Sequence, residues 1–229
     1  MSDRAIHILW PTARPAVMVG QYFHWNYRRT SESPCYLTVA VNTEAEADGI
    51  KKSDLWTKSN QVIVTGAHRL GPVWPVYQLC KQLTANDDDI VILGTDDFSP
   101  PEGWDDFILK RLDYCGALII NDGVRKRGDR LMTLPIMTYS CLLKINRLIV
   151  HPDYGWHFAD AELYENLDAL GLLRDARGFN DPVFEHLHWT RGKRKKDDID
   201  QIARRTHSKD KLTFARRMKM TIEERLVCP

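Results

Sequence analysis

The sequence predicts an α/β fold in which a mostly parallel central sheet is flanked by helices. Three observations carry that prediction. Short apolar runs stop abruptly at turn residues, stretches of helical periodicity separate them, and no solenoid-type repeat breaks the alternation. Length and composition agree: 229 residues, 43% hydrophobic and 28% charged, form a core large enough to fold without disulfide or metal staples.

The first run, residues 5–9 (AIHIL), is stopped by Pro11. Residues 17–29 read as a helix with a weaker pattern. Residues 36–42 (YLTVAVN) are rich in β-branched side chains, and residues 61–65 (QVIVT) end at Gly66. Val73, Val76, Tyr77, Cys80 and Leu83 then line one helical face. Residues 90–93 (IVIL) end at Gly94 and two aspartates. Trp104, Phe107, Ile108 and Leu112 form a second helical face, and residues 116–120 (GALII) end at Asn121-Asp122-Gly123. Four- to seven-residue apolar runs of this kind are strands buried on both faces.

The pattern changes after Asn121. Residues 125–130 (RKRGDR) read as an exposed turn. Residues 159–170 read as a helix with Leu163, Leu167 and Leu170 on one face, Asp160 at the N-cap and Gly171 as the stop. Residues 182–189 (PVFEHLHW) alternate as a strand, which sets His186 and His188 on the same face. A polar joint leads to a charged helix over about 209–226.

Charge and cysteine usage exclude some classes. The formal net charge of +1 hides an asymmetry, since residues 190–229 carry 13 Lys/Arg against 6 Asp/Glu, a net of +7 that leaves −6 on residues 1–189. No stretch reaches the ~18 apolar residues of a membrane span, and the apolar run near the N-terminus is too short for a signal-peptide core. Cys35, Cys80, Cys115, Cys141 and Cys228 are scattered with no CxxC pair. That argues against a disulfide framework and a cysteine-zinc site, and the expected location is the cytoplasm. Walker, dinucleotide-binding and nucleophile-elbow glycine motifs are all absent from the sequence.

In parallel sheets of this type ligands bind beyond the carboxyl ends of the strands, so the residues after each run are the candidates. Asp96-Asp97 is the sharpest. Adjacent carboxylates repel unless a cation sits with them, and hard oxygen donors suit Mg²⁺ or Mn²⁺; an acidic turn with one capping aspartate reads equally well from these residues alone. His186 and His188 are a same-face imidazole pair able to ligate a metal, or two ordinary histidines beside Trp189. Asp160 and Glu162 offer a general base, and they also fit ordinary helix-start chemistry.

Taken in order, these segments resemble the family 2 type of nucleotide-sugar glycosyltransferases, which have the GT-A fold. Pro11-Thr12-Ala13-Arg14-Pro15 is similar to the opening motif, and Val41-Asn42-Thr43 stands where relatives usually carry an acidic residue. Gly71-Pro72-Val73-Trp74 leads into Thr95-Asp96-Asp97, which resembles the DxD region with Thr95 in place of its first acid. Residues 100–105 (PPEGWD), 134–139 (LPIMTY), 158–163 (FADAEL) and 185–189 (EHLHW) resemble the segments that follow, and the likeness spans about residues 5–190. Such enzymes often end in a helix patterned like Asp210, Phe214, Arg216 and Arg217.

The resemblance implies a metal-dependent transfer of a sugar from a nucleotide-diphosphate sugar, UDP-linked by preference, to an acceptor hydroxyl with inversion. It puts Pro11, Thr12, Arg14, Asn42, Arg69, Thr95 and Asp96 on the nucleotide. Asp97 with His186 or His188 would be on Mn²⁺ or Mg²⁺, and Asp160 would be the base with Glu162 as second choice. The expected division is a nucleotide-binding half over about 1–98, an acceptor half over about 99–190 and a basic helical tail over 191–229. That tail makes DNA carrying hydroxymethylated pyrimidines an acceptor candidate. The alternatives are a non-catalytic nucleic-acid-binding protein that uses the tail, or a nucleotidyltransferase.

Overall fold

The computed structural model of the chain describes residues 4–53, 56–66, 71–112, 114–187 and 198–228. Its strands are β1 (Ile6–Pro11), β2 (Cys35–Val41), β3 (Gln61–Val64), β4 (Ile90–Leu93), β5 (Phe98–Ser99), β6 (Ala117–Ile120), β7 (Ile136–Thr138), β8 (Leu173–Ala176) and β9 (Glu185–His186). Seven of them form one sheet in the order β3-β2-β1-β4-β7-β6-β8. β1 lies between β2 and β4 and parallel to both, with Ile6 level with Cys35 and Ile90. The single antiparallel member is β7, paired to β4 and β6, so β6 and β8 again run with β1. The carboxyl ends of β1, β2, β3, β4, β6 and β8 therefore share one edge.

The period-2 geometry of a strand sends alternate side chains to opposite faces, and two cores result. Ile6, Ile8 and Trp10 pack with Leu37, Val39, Ile90 and Ile92 beneath α1 (Pro15–Tyr27), α2 (Glu44–Lys51) and, through Trp104 and Ile108, α4 (Trp104–Arg111). Leu9, Ala40, Val91 and Leu93 face the other way, toward α3 (Val73–Gln82), α5 (Tyr139–Lys144) and α6 (Ala159–Ala169). A sheet covered on both faces explains why its strands read as unbroken apolar runs.

Several elements depart from the sequence reading. α2 carries a full capping box, in which the Thr43 hydroxyl accepts from the Glu46 amide and the Glu46 carboxylate accepts from the Thr43 amide. Its apolar face is narrow, Ala47 and Ile50, so periodicity alone passes over it. Of the expected strand over 182–189, residues 188 and 189 lie outside the described residues, and among residues 182–187 Glu185–His186 form the strand, pairing with β5 in a two-stranded ribbon outside the main sheet. Asp160 is not the N-cap of α6. Phe158 takes that place with φ 67°, which leaves Asp160 inside the first turn. The C-terminal helix starts earlier than expected, as α7 (Asp198–Arg217), and stops before a second capping box at Thr221 opens α8 (Ile222–Arg225).

α6 precedes β8 through the short turn 170–172, with Gly171 in the left-handed region at φ 66°. The helix therefore runs against the strand direction, and its first turn, with Asp160, lies toward the carboxyl edge.

Candidate active site

The loop after β4 is laid directly on the sheet. The Gly94 amide donates to the Leu9 carbonyl at 2.8 Å, and a Cβ at position 94 would come within 2.6 Å of the Trp10 ring. Trp10 is fully buried, so only glycine lets the chain cross there before presenting Thr95, Asp96 and Asp97. From the neighbouring strand, the Thr12 hydroxyl accepts from the Arg14 amide at 2.9 Å, and the Arg14 guanidinium pairs with Asp96 at 2.9 Å. The Arg14 charge thereby offsets one of the two adjacent acids. Asn42 stands at the end of β2, where its amide donates to Glu46 at 2.9 Å.

Asp97 has different partners. The Thr95 hydroxyl donates to its Oδ1 at 2.7 Å, and its Oδ2 lies 3.3 Å from His186 Nε2. The pairing of β5 with β9 creates this meeting of residues 89 positions apart. Phe98 is level with His186 and stacks on its ring at 4.4 Å, while the Leu187 amide donates to the Asp97 carbonyl at 2.6 Å. A carboxylate oxygen and an imidazole nitrogen side by side on the sheet edge are a donor set suited to a divalent ion of the Mn²⁺ type. Among the described residues no group of three or more His, Cys, Asp or Glu side chains is placed to hold a metal ion. His188 and Arg69 lie outside the described residues.

Asp122, at the end of β6, extends the same edge. It is buried, accepts from the Val124 and Arg125 amides and from the Thr133 hydroxyl, and its carbonyl accepts from the His186 amide. It thereby links the basic turn at 125–130 to β9. Sequence reasoning saw Asn121-Asp122-Gly123 only as a strand terminator; its place after an apolar run was the signal.

Asp160 sits on a separate element. Burial pushes its pKa up, opposed by the Ala161 amide, which donates to its Oδ1 at 3.0 Å, and by the charges of Arg125 and His157. Glu162, two residues on, turns the other way. Arg217 donates to both of its oxygens at 2.7–3.0 Å, and the Tyr154 hydroxyl donates to Oε2 at 2.5 Å. Both carboxylate oxygens are committed to a pair whose side chains are 3% and 4% exposed. The structure thus separates the surroundings of two acids that lie two residues apart.

No protein-family model and no curated protein matches the sequence. Solved structures do. Residues 1–349 of S. aureus TarS superpose with a TM-score of 0.56 at 13% identity, over 96% of this chain and 76% of that one. The same TarS fragment in complex with UDP gives 0.57 at 12% identity, with the same coverage. The fold is that of the GT-A glycosyltransferases. A mannosyltransferase from Pyrobaculum calidifontis, solved with GDP-Man and Mn²⁺, gives 0.55 at 13% identity over 80% of this chain and 57% of that one. A 4-diphosphocytidyl-2C-methyl-D-erythritol synthase from Anaerococcus prevotii reaches 0.50 at 10% identity, over 88% of this chain and 96% of that one. At these identities the likeness carries the fold, and the reaction has to be argued from the site.

Proposed function

We propose that this chain is a glycosyltransferase that moves a sugar from a nucleotide-diphosphate sugar, with UDP as the preferred carrier, onto an acceptor hydroxyl with inversion. The observation that carries this reading is the Asp97–His186 pair on the carboxyl edge of a GT-A sheet. The neighbours solved with UDP and with GDP-Man and Mn²⁺ support it.

In this reading Thr12, Arg14 and Asn42, at the ends of β1 and β2, contact the nucleotide, with Pro11, Thr95, Asp96 and Arg69 around it. Asp97 with His186 or His188 would hold a divalent ion, Mn²⁺ or Mg²⁺, whose Lewis acidity would offset the charge that grows on the departing diphosphate. Asp160 takes the proton of the acceptor hydroxyl. The acceptor oxygen then bonds to the anomeric carbon from the face opposite the diphosphate, the bond from that carbon to the phosphate oxygen breaks, and nucleoside diphosphate leaves. A single base and a single displacement give inversion. Asp160 is preferred over Glu162 because the oxygens of Glu162 are already taken by Arg217 and Tyr154.

The acceptor side favours a polyanion. Arg125 lies close enough to Asp160 to influence its ionisation, and Arg125, Lys126, Arg127, Arg204 and Arg205 are all exposed. DNA bearing hydroxymethylated pyrimidines would present both the anion and a nucleophilic hydroxyl. The likeness to the diphosphocytidyl synthase supports a second reading, nucleotidyl transfer.

Product analysis separates the readings. Incubation with Mn²⁺, UDP-sugars and hydroxymethylated DNA is expected to yield nucleoside diphosphate and a DNA mass increased by one sugar residue. Pyrophosphate release from a nucleoside triphosphate would establish nucleotidyl transfer instead. DNA binding with no turnover, unaffected by Asp97→Ala, would leave a binding protein.

A further inference from the structure

Helix α7 carries most of the described part of the basic C-terminal segment, yet most of its cations lie off its inner face. Ala203, Thr206, His207, Asp210, Phe214 and Arg217 recur at steps of three and four, so they line one side of the helix. Every one of them meets the short stretch 155–162 that leads into α6. His157 Nε2 lies 3.0 Å from the Ala203 carbonyl and donates to it. The His207 ring packs on His157 at 5.1 Å and on Phe158 at 5.3 Å, and Phe214 stacks on Phe158 at 5.6 Å. A Cβ on Gly155 would come within 2.7 Å of Thr206 Cγ2, so glycine is what allows the helix this close.

The strongest contact is that of Asp210. Its carboxylate is fully buried and accepts three consecutive backbone amides, Gly155, Trp156 and His157, each at 2.9 Å. Three converging N–H dipoles on one carboxylate form an anion nest, here filled by the protein's own side chain. The next residue, Phe158, holds the left-handed backbone that starts α6 and supplies no side-chain cap. A phenylalanine in that region is strained and persists only where its surroundings fix it. Asp210 fixes the peptide planes on one side, and the Arg217–Glu162 pair fixes the first turn on the other. Asp160 lies between these two anchors.

We propose that α7 acts on the reaction by positioning Asp160, with Asp210 as the principal positioning residue and Phe214 and Arg217 as its supports. This inference rests on the reading of Asp160 as the base. It adds a role for α7 that does not depend on binding nucleic acid. A displacement of about 1 Å in a reacting group costs roughly 100-fold in rate, so loosening this clamp is read in the transfer step. The donor residues on β1, β4 and β9 are held by other contacts.

The experiment is steady-state kinetics of Asp210→Asn, which places an amide N–H₂ against backbone N–H groups, and of Phe214→Leu, which keeps every polar contact and serves as the milder variant. For Asp210→Asn the expected result is a fall in kcat for transfer of about 10- to 100-fold, a smaller fall for Phe214→Leu, and donor KM and Mn²⁺ dependence within twofold of wild type. Hydrolysis of the donor by water is expected to persist. Unchanged kcat in either folded variant, or kcat and donor affinity falling together in Phe214→Leu, overturns the inference. A wild-type chain with no transferase activity overturns both this inference and the proposed function; an active wild type with unaffected variants overturns the inference alone.

Discussion

Asp160 combines two demands that pull against each other. A base that must take a proton benefits from a raised pKa, but burial makes its ionised form costly to the fold. The sign follows from linkage. With its folded pKa above that of the unfolded chain, the folded state holds the proton more tightly, so this stabilising contribution is present at low pH and lost as pH rises through the folded value. Asp160→Asn removes the ionised form altogether. The expected outcome is a loss of transfer of about 10²- to 10⁴-fold together with a higher Tm at pH 8, the gain shrinking as pH is lowered. A variant that is both inactive and less stable at pH 8 would mean that Asp160 is a structural acid. The acid limb of the kcat/KM profile is expected above the ordinary carboxylate range. The family resemblance ranks Asp160 above Glu162, but the physical reason is not legible in the sequence, because the partner that occupies Glu162 is Arg217, 55 residues away.

At the scale of elements, two close approaches and one buried pair carry the site. Gly94→Ala forces a methyl group against the immovable Trp10 ring. Such overpacking costs about 1–3 kcal/mol, and because the strain falls on the loop that carries Asp96 and Asp97, UDP affinity is expected to fall along with Tm. Retained affinity would show that the loop adapts. Arg217→Met leaves Glu162 and Tyr154 buried without their cation, a change that costs about 3–5 kcal/mol in comparable pairs and is read by urea denaturation at pH 7. A loss under 1 kcal/mol would show that the pair contributes little to holding α7 on the body. The elements that sequence missed share a cause. α2 is announced by its cap more than by its face, and β9 exists only because β5 lies beside it. The helix α6 begins at Ala159 as its pattern predicts, but its cap differs: an aspartate is the usual N-cap, whereas here tertiary contacts from α7 hold Phe158 in a conformation that its own side chain disfavours.

For the molecule as a whole, the sheet was legible because β4 and β6 are buried throughout and β1 and β2 over most of their length, and because the apolar runs are stopped at Pro11, Gly66, Gly94 and Asn121. The antiparallel β7 was not, since a three-residue strand has no periodicity to read. Global charge separates in the same way. α7 turns its clamp inward and its cations Arg204, Arg205, Lys209, Lys211 and Arg216 outward, so one helix meets two constraints that composition merges into a basic tail. The proposed reaction depends on the edge where Asp97 meets His186, and calorimetric titration of UDP into the protein with and without Mn²⁺ tests that dependence most directly. The expected result is Mn²⁺-dependent binding that Asp97→Ala abolishes while leaving the fold intact. Equal affinity with and without the ion, or full binding in Asp97→Ala, would contradict it.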